Sequence, residues 1–235
     1  MKNILMVVSS RATMDASDAP TGAWLEELAA SYYVFVDAGC DVEIASPAGN
    51  AAPLDPLSLE EPWLTSAGKR FRADGAATAR LANTRRLSDL EAVTFDAIYC
   101  VGGAATAWDF PGNPELAAIV QSLHATRRPV AGVCHGVLGL TKARTAEGAP
   151  IVSGRAVTGI SNAEETLTGF DKLVPVLPET RLRELGARYS CAAPFAEHVV
   201  VDDNVLTGQN PASAGPLARA VLQQLARDPQ LLTAT

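Results

Sequence analysis

The sequence has little that would tie it to a membrane, a nucleic acid or a zinc ion. No apolar run approaches the roughly 20 residues that span a bilayer. The opening run ending in Val7 and Val8 is too short for a signal-peptide core, and no small-residue cleavage site follows it. Basic residues are outnumbered, 19 Lys and Arg against 26 Asp and Glu, giving a formal net charge of −7. Arg80, Arg85 and Arg86 form the one notable basic cluster, so no nucleic-acid partner is expected. Aromatic residues amount to 6%. The four cysteines, Cys40, Cys100, Cys134 and Cys191, lie far apart, with no CxxC pair and no Cys/His spacing that suits zinc. The thiols therefore read as free, and no metal or other cofactor is expected. Internal repeats and low-complexity segments are missing as well. What is there is 235 residues, 48% of them hydrophobic, which suits one globular domain and is too apolar for disorder. A single cytoplasmic domain over residues 1–235, with no membrane association, is the expectation.

Along the chain, Ile4 to Val8 is a continuous apolar run of the kind buried on both faces of a parallel sheet. Thr21 is placed to cap a helix from Gly22 to Ala38, whose apolar residues Leu25, Leu28, Tyr32 and Phe35 recur at helical spacing. Gly39 closes that helix and Val42–Ala45 follows as a strand, completing a βαβ unit. Pro47 to Pro62 is too rich in proline to be regular throughout, and it opens an ordered excursion over residues 47–90 in which Leu54, Leu57, Leu59 and Trp63 would need burial. Further strands are predicted at Phe95–Val101, Pro129–Val133, Ala156–Thr158 and His198–Val201. Helices are predicted at Pro114–His124, from Gly136, at Pro178–Gly186 and at about Pro211–Ala226. The alternation predicts an α/β fold, a mostly parallel sheet with helices on both faces.

The strongest local feature is Val130-Ala131-Gly132-Val133-Cys134-His135-Gly136. A buried strand ends, one residue able to act as a nucleophile follows, and small residues let the chain turn sharply into a helix, which is the nucleophile-elbow pattern. The start of such a helix presents unpaired N–H groups that favour a thiolate over a thiol. His135 supplies a nearby proton acceptor, although neighbouring side chains diverge. On spacing alone a nucleophilic Cys134 and a small buried cysteine fit equally well. Glu27 falls opposite the apolar stripe of its helix, where the plain reading is a solvated carboxylate, and Glu26 takes its place if the register is one residue off. Glu164 and Glu165 read as acids in the first turn of a helix. His124 is expected at the surface, His198 in a structural role, and Cys40, Cys100 and Cys191 as packing or incidental thiols.

Blocks distributed along nearly the whole chain resemble the DJ-1/PfpI superfamily of class I glutamine-amidotransferase-like proteins, and within it the Hsp31-like, glyoxalase III-like branch. They are Thr21-Gly22 with Glu27, Ser46-Pro47-Ala48-Gly49, Pro53-Leu54-Asp55-Pro56 and Gly102-Gly103 with Trp108-Asp109-Phe110-Pro111. Val133-Cys134-His135-Gly136, Val157-Thr158-Gly159 with Asn162-Ala163-Glu164-Glu165, and Thr207-Gly208-Gln209-Asn210-Pro211-Ala212-Ser213 complete the set.

The resemblance implies a flavodoxin-like three-layer sandwich and assigns roles. Cys134 would be the nucleophile, Glu27 an acid or base beside its sulfur, His135 the histidine of the site, and Glu165 the group that orients it. Gly102, Gly103 and Gly136 would contribute the oxyanion and substrate-binding backbone. The implied activity is a glutathione-independent lyase of the D-lactate dehydratase type, turning methylglyoxal or a related 2-oxoaldehyde into a 2-hydroxy acid in a homodimer. One departure bears on substrate. Where the branch usually continues from the paired glycines with His-Gly, this chain has Ala104-Ala105, so its pocket should be more apolar. That brings in a Cys-dependent hydrolase or hydratase of an amide or isonitrile as an alternative. A stress-response holdase or redox sensor with weak catalysis is another.

Overall fold

The apolar run at the start of the chain becomes β1 (Asn3–Val7), buried from Ile4 onward. Its side chains alternate between two cores: Ile4 and Met6 pack on one side of the sheet, Leu5 and Val7 on the other. A strand covered on both faces has no solvent side to make polar, hence the unbroken apolar run. This is seen in a computed structural model that describes residues 1–15 and 18–227; residues 16, 17 and 228–235 of the expected domain lie outside it.

After β1 come α1 (Leu25–Asp37), β2 (Asp41–Ser46), α2 (Ser66–Ala73), α3 (Gly75–Ala82), β3 (Arg85–Arg86), β4 (Ala97–Cys100), α4 (Thr106–Asp109) and α5 (Pro114–Ala125). The second half holds β5 (Val130–Val133), β6 (Ala156–Val157), α6 (Asn162–Thr168), α7 (Pro178–Glu184), β7 (Arg188–Tyr189), β8 (Val199–Asp202), β9 (Val205–Gly208) and α8 (Ala214–Arg227). Seven strands form one sheet in the order β3-β2-β1-β4-β5-β9-β8. All neighbours are parallel except β8 and β9 at one edge. One apolar cluster lies beneath α1, α8 and the helices of the excursion, and the other beneath α5 and α7. This is the expected flavodoxin-like α/β architecture.

Several local expectations change. Trp24, not Thr21, is the N-cap of α1, and its side chain makes no capping bond. The cap comes instead from the Ser58 hydroxyl, which accepts from Leu25 N at 3.1 Å, while the Thr21 hydroxyl donates to Asp55 at 3.2 Å. Ala156–Val157 is a strand, but it pairs with β7 in a separate two-stranded ribbon rather than in the main sheet. The residues from Cys134 to Leu140 form a 3-10 turn. The excursion is more regular than its prolines suggest: α2 and α3 are capped by Thr65 and Asp74, and the chain returns to the sheet edge as β3. It is stitched to the start of α1, where Ala23 N donates to Pro53 O at 2.9 Å and Asp55 N to Ala23 O at 3.0 Å.

Candidate active site

The strand order reverses between β1 and β4, and the crevice outside the carboxyl ends at such a switch point is where open α/β sheets bind ligands. The chain leaving β1 leads to α1, the chain leaving β4 forms Gly102-Gly103, and the chain leaving β5 turns at Cys134. Cys134 has φ +56°, a left-handed conformation costing a non-glycine residue about 1–2 kcal/mol. The turn packs so closely under β4 that a Cβ on Gly136 would overlap the Cys100 carbonyl oxygen. Gly136 thus sits behind the elbow, outside the pocket lining.

Glu27 lies on the first turn of α1 and is fully buried. Its Oε2 accepts from Gly102 N at 2.9 Å, and its carboxyl also hydrogen-bonds the Cys134 thiol. Burial pushes the Glu27 pKa up to about 8. The wheel expectation of a solvated carboxylate fails because α1 is buried nearly all round, between the sheet, α8 and the excursion, so its polar Glu27 and Ser31 face protein. The expectation of a thiolate at Cys134 is corrected as well. Burial, with Glu27 and then Glu165 beside it, raises the thiol well above its ordinary pKa, and the short 3-10 turn does not offset this. The backbone N–H of His135, directed at the sulfur, is a lesser opposing influence.

His135 is also buried, its Nδ1 3.4 Å from Cys134 Sγ and its Nε2 2.6 Å from Glu165 Oε1. The second contact is close but off the line of the ring N–H, and neither Glu165 oxygen accepts an aligned hydrogen bond among the described residues. Side chains adjacent in sequence do meet here, because the left-handed turn at Cys134 swings sulfur and imidazole to the same side.

These groups floor a pocket of about 70 Å³ whose accessible lining is almost wholly apolar. Trp24, Leu57, Trp63, Ile160, Phe170 and Phe195 make up most of its wall, and Ala104 faces it where the branch would have an imidazole. Gly103, at φ +113°, lines the pocket too, whereas Gly102 lies behind Glu27. Glu26 points elsewhere and hydrogen-bonds the Thr65 hydroxyl in an outer recess. Among the described residues no group of three or more His, Cys, Asp or Glu gathers as metal ligands would.

Residues 21–224 match the DJ-1/PfpI family. The chain belongs to this family. It is 28% identical over 224 residues to the glutathione-independent glyoxalase HSP31 of Saccharomyces cerevisiae, covering 91% of this chain and 93% of that one. Among solved structures it is similar to the Rapid Encystment Protein 24 kDa of Francisella tularensis, with TM-score 0.92, 36% identity, and 96% and 99% of the two chains covered. The Candida albicans glyoxalase III shares the fold, with TM-score 0.84 at 23% identity over 95% and 97% of the chains.

Within this DJ-1/PfpI chain, sequence reasoning missed several pocket residues. Asp55 lines the pocket and is buried, its pKa raised by desolvation; its only sequence signal was its place before Pro56. Trp63 and Leu57, expected to need burial, are 36% and 47% exposed because they stand at the mouth. Glu164, read as a helix-start acid like Glu165, is fully buried. It accepts from Ser161 N and Oγ, Phe195 N, Gln209 Nε2 and Asn210 Nδ2 at 2.7–3.0 Å. His124 is half-buried rather than fully at the surface, its carbonyl accepting from the buried Asn204, and burial lowers its pKa. His198 pairs with Ser190 at 3.0 Å, away from the pocket. Cys40 and Cys100 are half-buried and buried, Cys191 exposed.

Proposed function

We propose that this protein converts a 2-oxoaldehyde to the corresponding 2-hydroxy acid through Cys134, without glutathione. The observation that carries the reading is the convergence of a buried thiol, the Glu27 carboxyl and the His135 imidazole on the floor of one small pocket. The chain's likeness to proteins named glutathione-independent glyoxalase supports it.

Glu27, once ionised, takes the thiol proton as the sulfur attacks the aldehyde carbon, giving a hemithioacetal. Backbone N–H groups at Gly103 and the elbow hold the developing oxyanion. The imidazole of His135 then removes the hydrogen on that carbon, forming an enediol, and a proton returns to the neighbouring carbon. The aldehyde carbon is thereby oxidised to a thioester and the ketone reduced to an alcohol within one molecule. Water cleaves the thioester, releasing the hydroxy acid and restoring the thiol. Glu165 keeps the imidazole facing the sulfur. A homodimer in a reducing compartment belongs to the same proposal, which light scattering checks in part.

Pure protein incubated with methylglyoxal and no added thiol is expected to yield lactate, and Cys134→Ala to yield none. Absence of lactate at high enzyme concentration, or full activity in that variant, overturns the reading. The apolar lining at Ala104 favours a second reading, hydrolysis or hydration of an amide or isonitrile by the same thiol. Turnover of such compounds with no turnover of 2-oxoaldehydes would replace the first reading by the second.

A further inference from the structure

Beside the pocket over Cys134, of about 70 Å³, lies an outer recess of about 230 Å³. The two share Trp24, Trp63, Phe195 and Pro211 as a common wall. A ligand seated on the thiol therefore has aromatic side chains along the side of its chamber that borders the recess.

Two features mark this wall as built for a ligand rather than incidentally apolar. Large exposed hydrophobic side chains are few among the described residues, and three of them, Leu57, Trp63 and Phe195, border the pocket. Phe195, 42% exposed, is held at φ +62°, a conformation disfavoured for an aromatic residue. Its N–H is fixed at 2.8 Å by the fully buried Glu164, which also accepts from Gln209 and Asn210. On the same wall, Trp63 meets Trp24 edge to face, ring centroids 5.7 Å apart. A polyhydroxylated tail would leave its hydroxyls unpaired along this wall, and a bare methyl group would leave the wall uncovered. A flat apolar ring satisfies both constraints.

We propose that the substrate is an aryl-substituted 2-oxoaldehyde, its dicarbonyl end over Cys134 and its ring between Trp63 and Phe195, which set specificity. The proposal rests on the 2-oxoaldehyde reading above and adds the chemistry of the substituent.

Phenylglyoxal and methylglyoxal are the probes, with mandelate and lactate as their products. The native protein is expected to favour phenylglyoxal about tenfold in kcat/KM, the scale set by burying a ring in place of a methyl group. Trp63→Ala and Phe195→Ala are expected to collapse that ratio, mainly through KM for phenylglyoxal, while Trp63→Phe and Phe195→Leu retain most of it. A native ratio near one, or a ratio unmoved by the alanine variants, overturns the proposal. A binding arm separates this failure from failure of the reaction itself. In Cys134→Ser, mandelate is expected to quench tryptophan fluorescence at concentrations about tenfold below those lactate needs. If neither aldehyde reacts, the assigned reaction falls and this arm alone decides: stronger mandelate binding upholds the aromatic pocket, and equal binding overturns it.

Discussion

Glu164 and Glu165 are consecutive residues of α6 whose buried carboxylates serve different parts of the molecule. Glu165 stands 2.6 Å from the His135 ring with no aligned hydrogen bond, while Glu164 accepts from five donors on three stretches of chain. Substituting each by glutamine should give opposite results. Glu164→Gln replaces one acceptor oxygen by an NH2 group facing donors, and is expected to cost about 2–4 kcal/mol of stability. Glu165→Gln keeps the shape of a side chain that makes no aligned hydrogen bond, so stability should change by less than about 1 kcal/mol while turnover falls about tenfold or more. Denaturant midpoints at unchanged slope, with initial rates alongside, check both.

This contrast also shows where the sequence stops being legible. Strands β1, β4 and β5 could be read because they are apolar on both faces, and the elbow because a strand must end in small residues to turn there. Glu27, Glu164 and Glu165 carry no such pattern. Glu27 looks like a solvated helix carboxylate and Glu164 and Glu165 like helix-start acids, and only the layers packed around α1 and α6 turn these positions into buried ones. β9 is buried throughout, but its Thr207 and Gly208 break the apolar run that would have announced it. The outer wall of the pocket was hidden for the opposite reason. Trp63 reads as core, and only the fold shows it at an opening.

The proton on Glu27 makes stability depend on pH. The folded protein keeps it up to about 8, whereas the unfolded chain releases it near the ordinary value of 4.5. This contribution is fully present below about 4.5, declines as pH rises, and is gone above about 8. The native midpoint should fall across that window and that of Glu27→Gln should fall less, as denaturant titrations at several pH values would show.

The same group sets the expected activity profile. Acting as the base that accepts the thiol proton, Glu27 works only when ionised, so kcat/KM should rise with pH on a limb centred near 8. Glu27→Gln should remove the limb and leave a low, flat profile. A native profile that falls through this region would assign the base elsewhere.

The left-handed turn at Cys134 is testable apart from its chemistry. Cys134→Ala and Cys134→Gly both remove the thiol, but only glycine relieves φ +56°. The glycine variant should therefore be more stable than the alanine variant by about 0.5–1 kcal/mol. Equal midpoints would mean that the turn is not strained.

Thiol labelling should follow burial. Cys191 is exposed and should react first with a maleimide at neutral pH. Cys100, pushed up to about 12 by burial, should react only on unfolding. Cys134 should lie between them, accelerating as pH rises above about 8, where the Glu27 beside it ionises and can take the thiol proton. Mass spectrometry of peptides from a time course reads all three.

One turn of α1 beyond Glu27, the Ser31 hydroxyl donates to Tyr99 at 2.7 Å, and Tyr99 in turn donates to the Ala214 carbonyl at 3.1 Å. This short relay bolts the helix to the middle of the sheet and to the start of α8, so α1 can neither roll nor slide without breaking it. The carboxyl beside the sulfur thus has a hard mounting, while the rings at the far end of the cavity stand on loops. Tolerance to change should be graded along that axis: the mouth can be recut for new ligands, whereas the seat of the chemistry cannot be moved without remaking the interior.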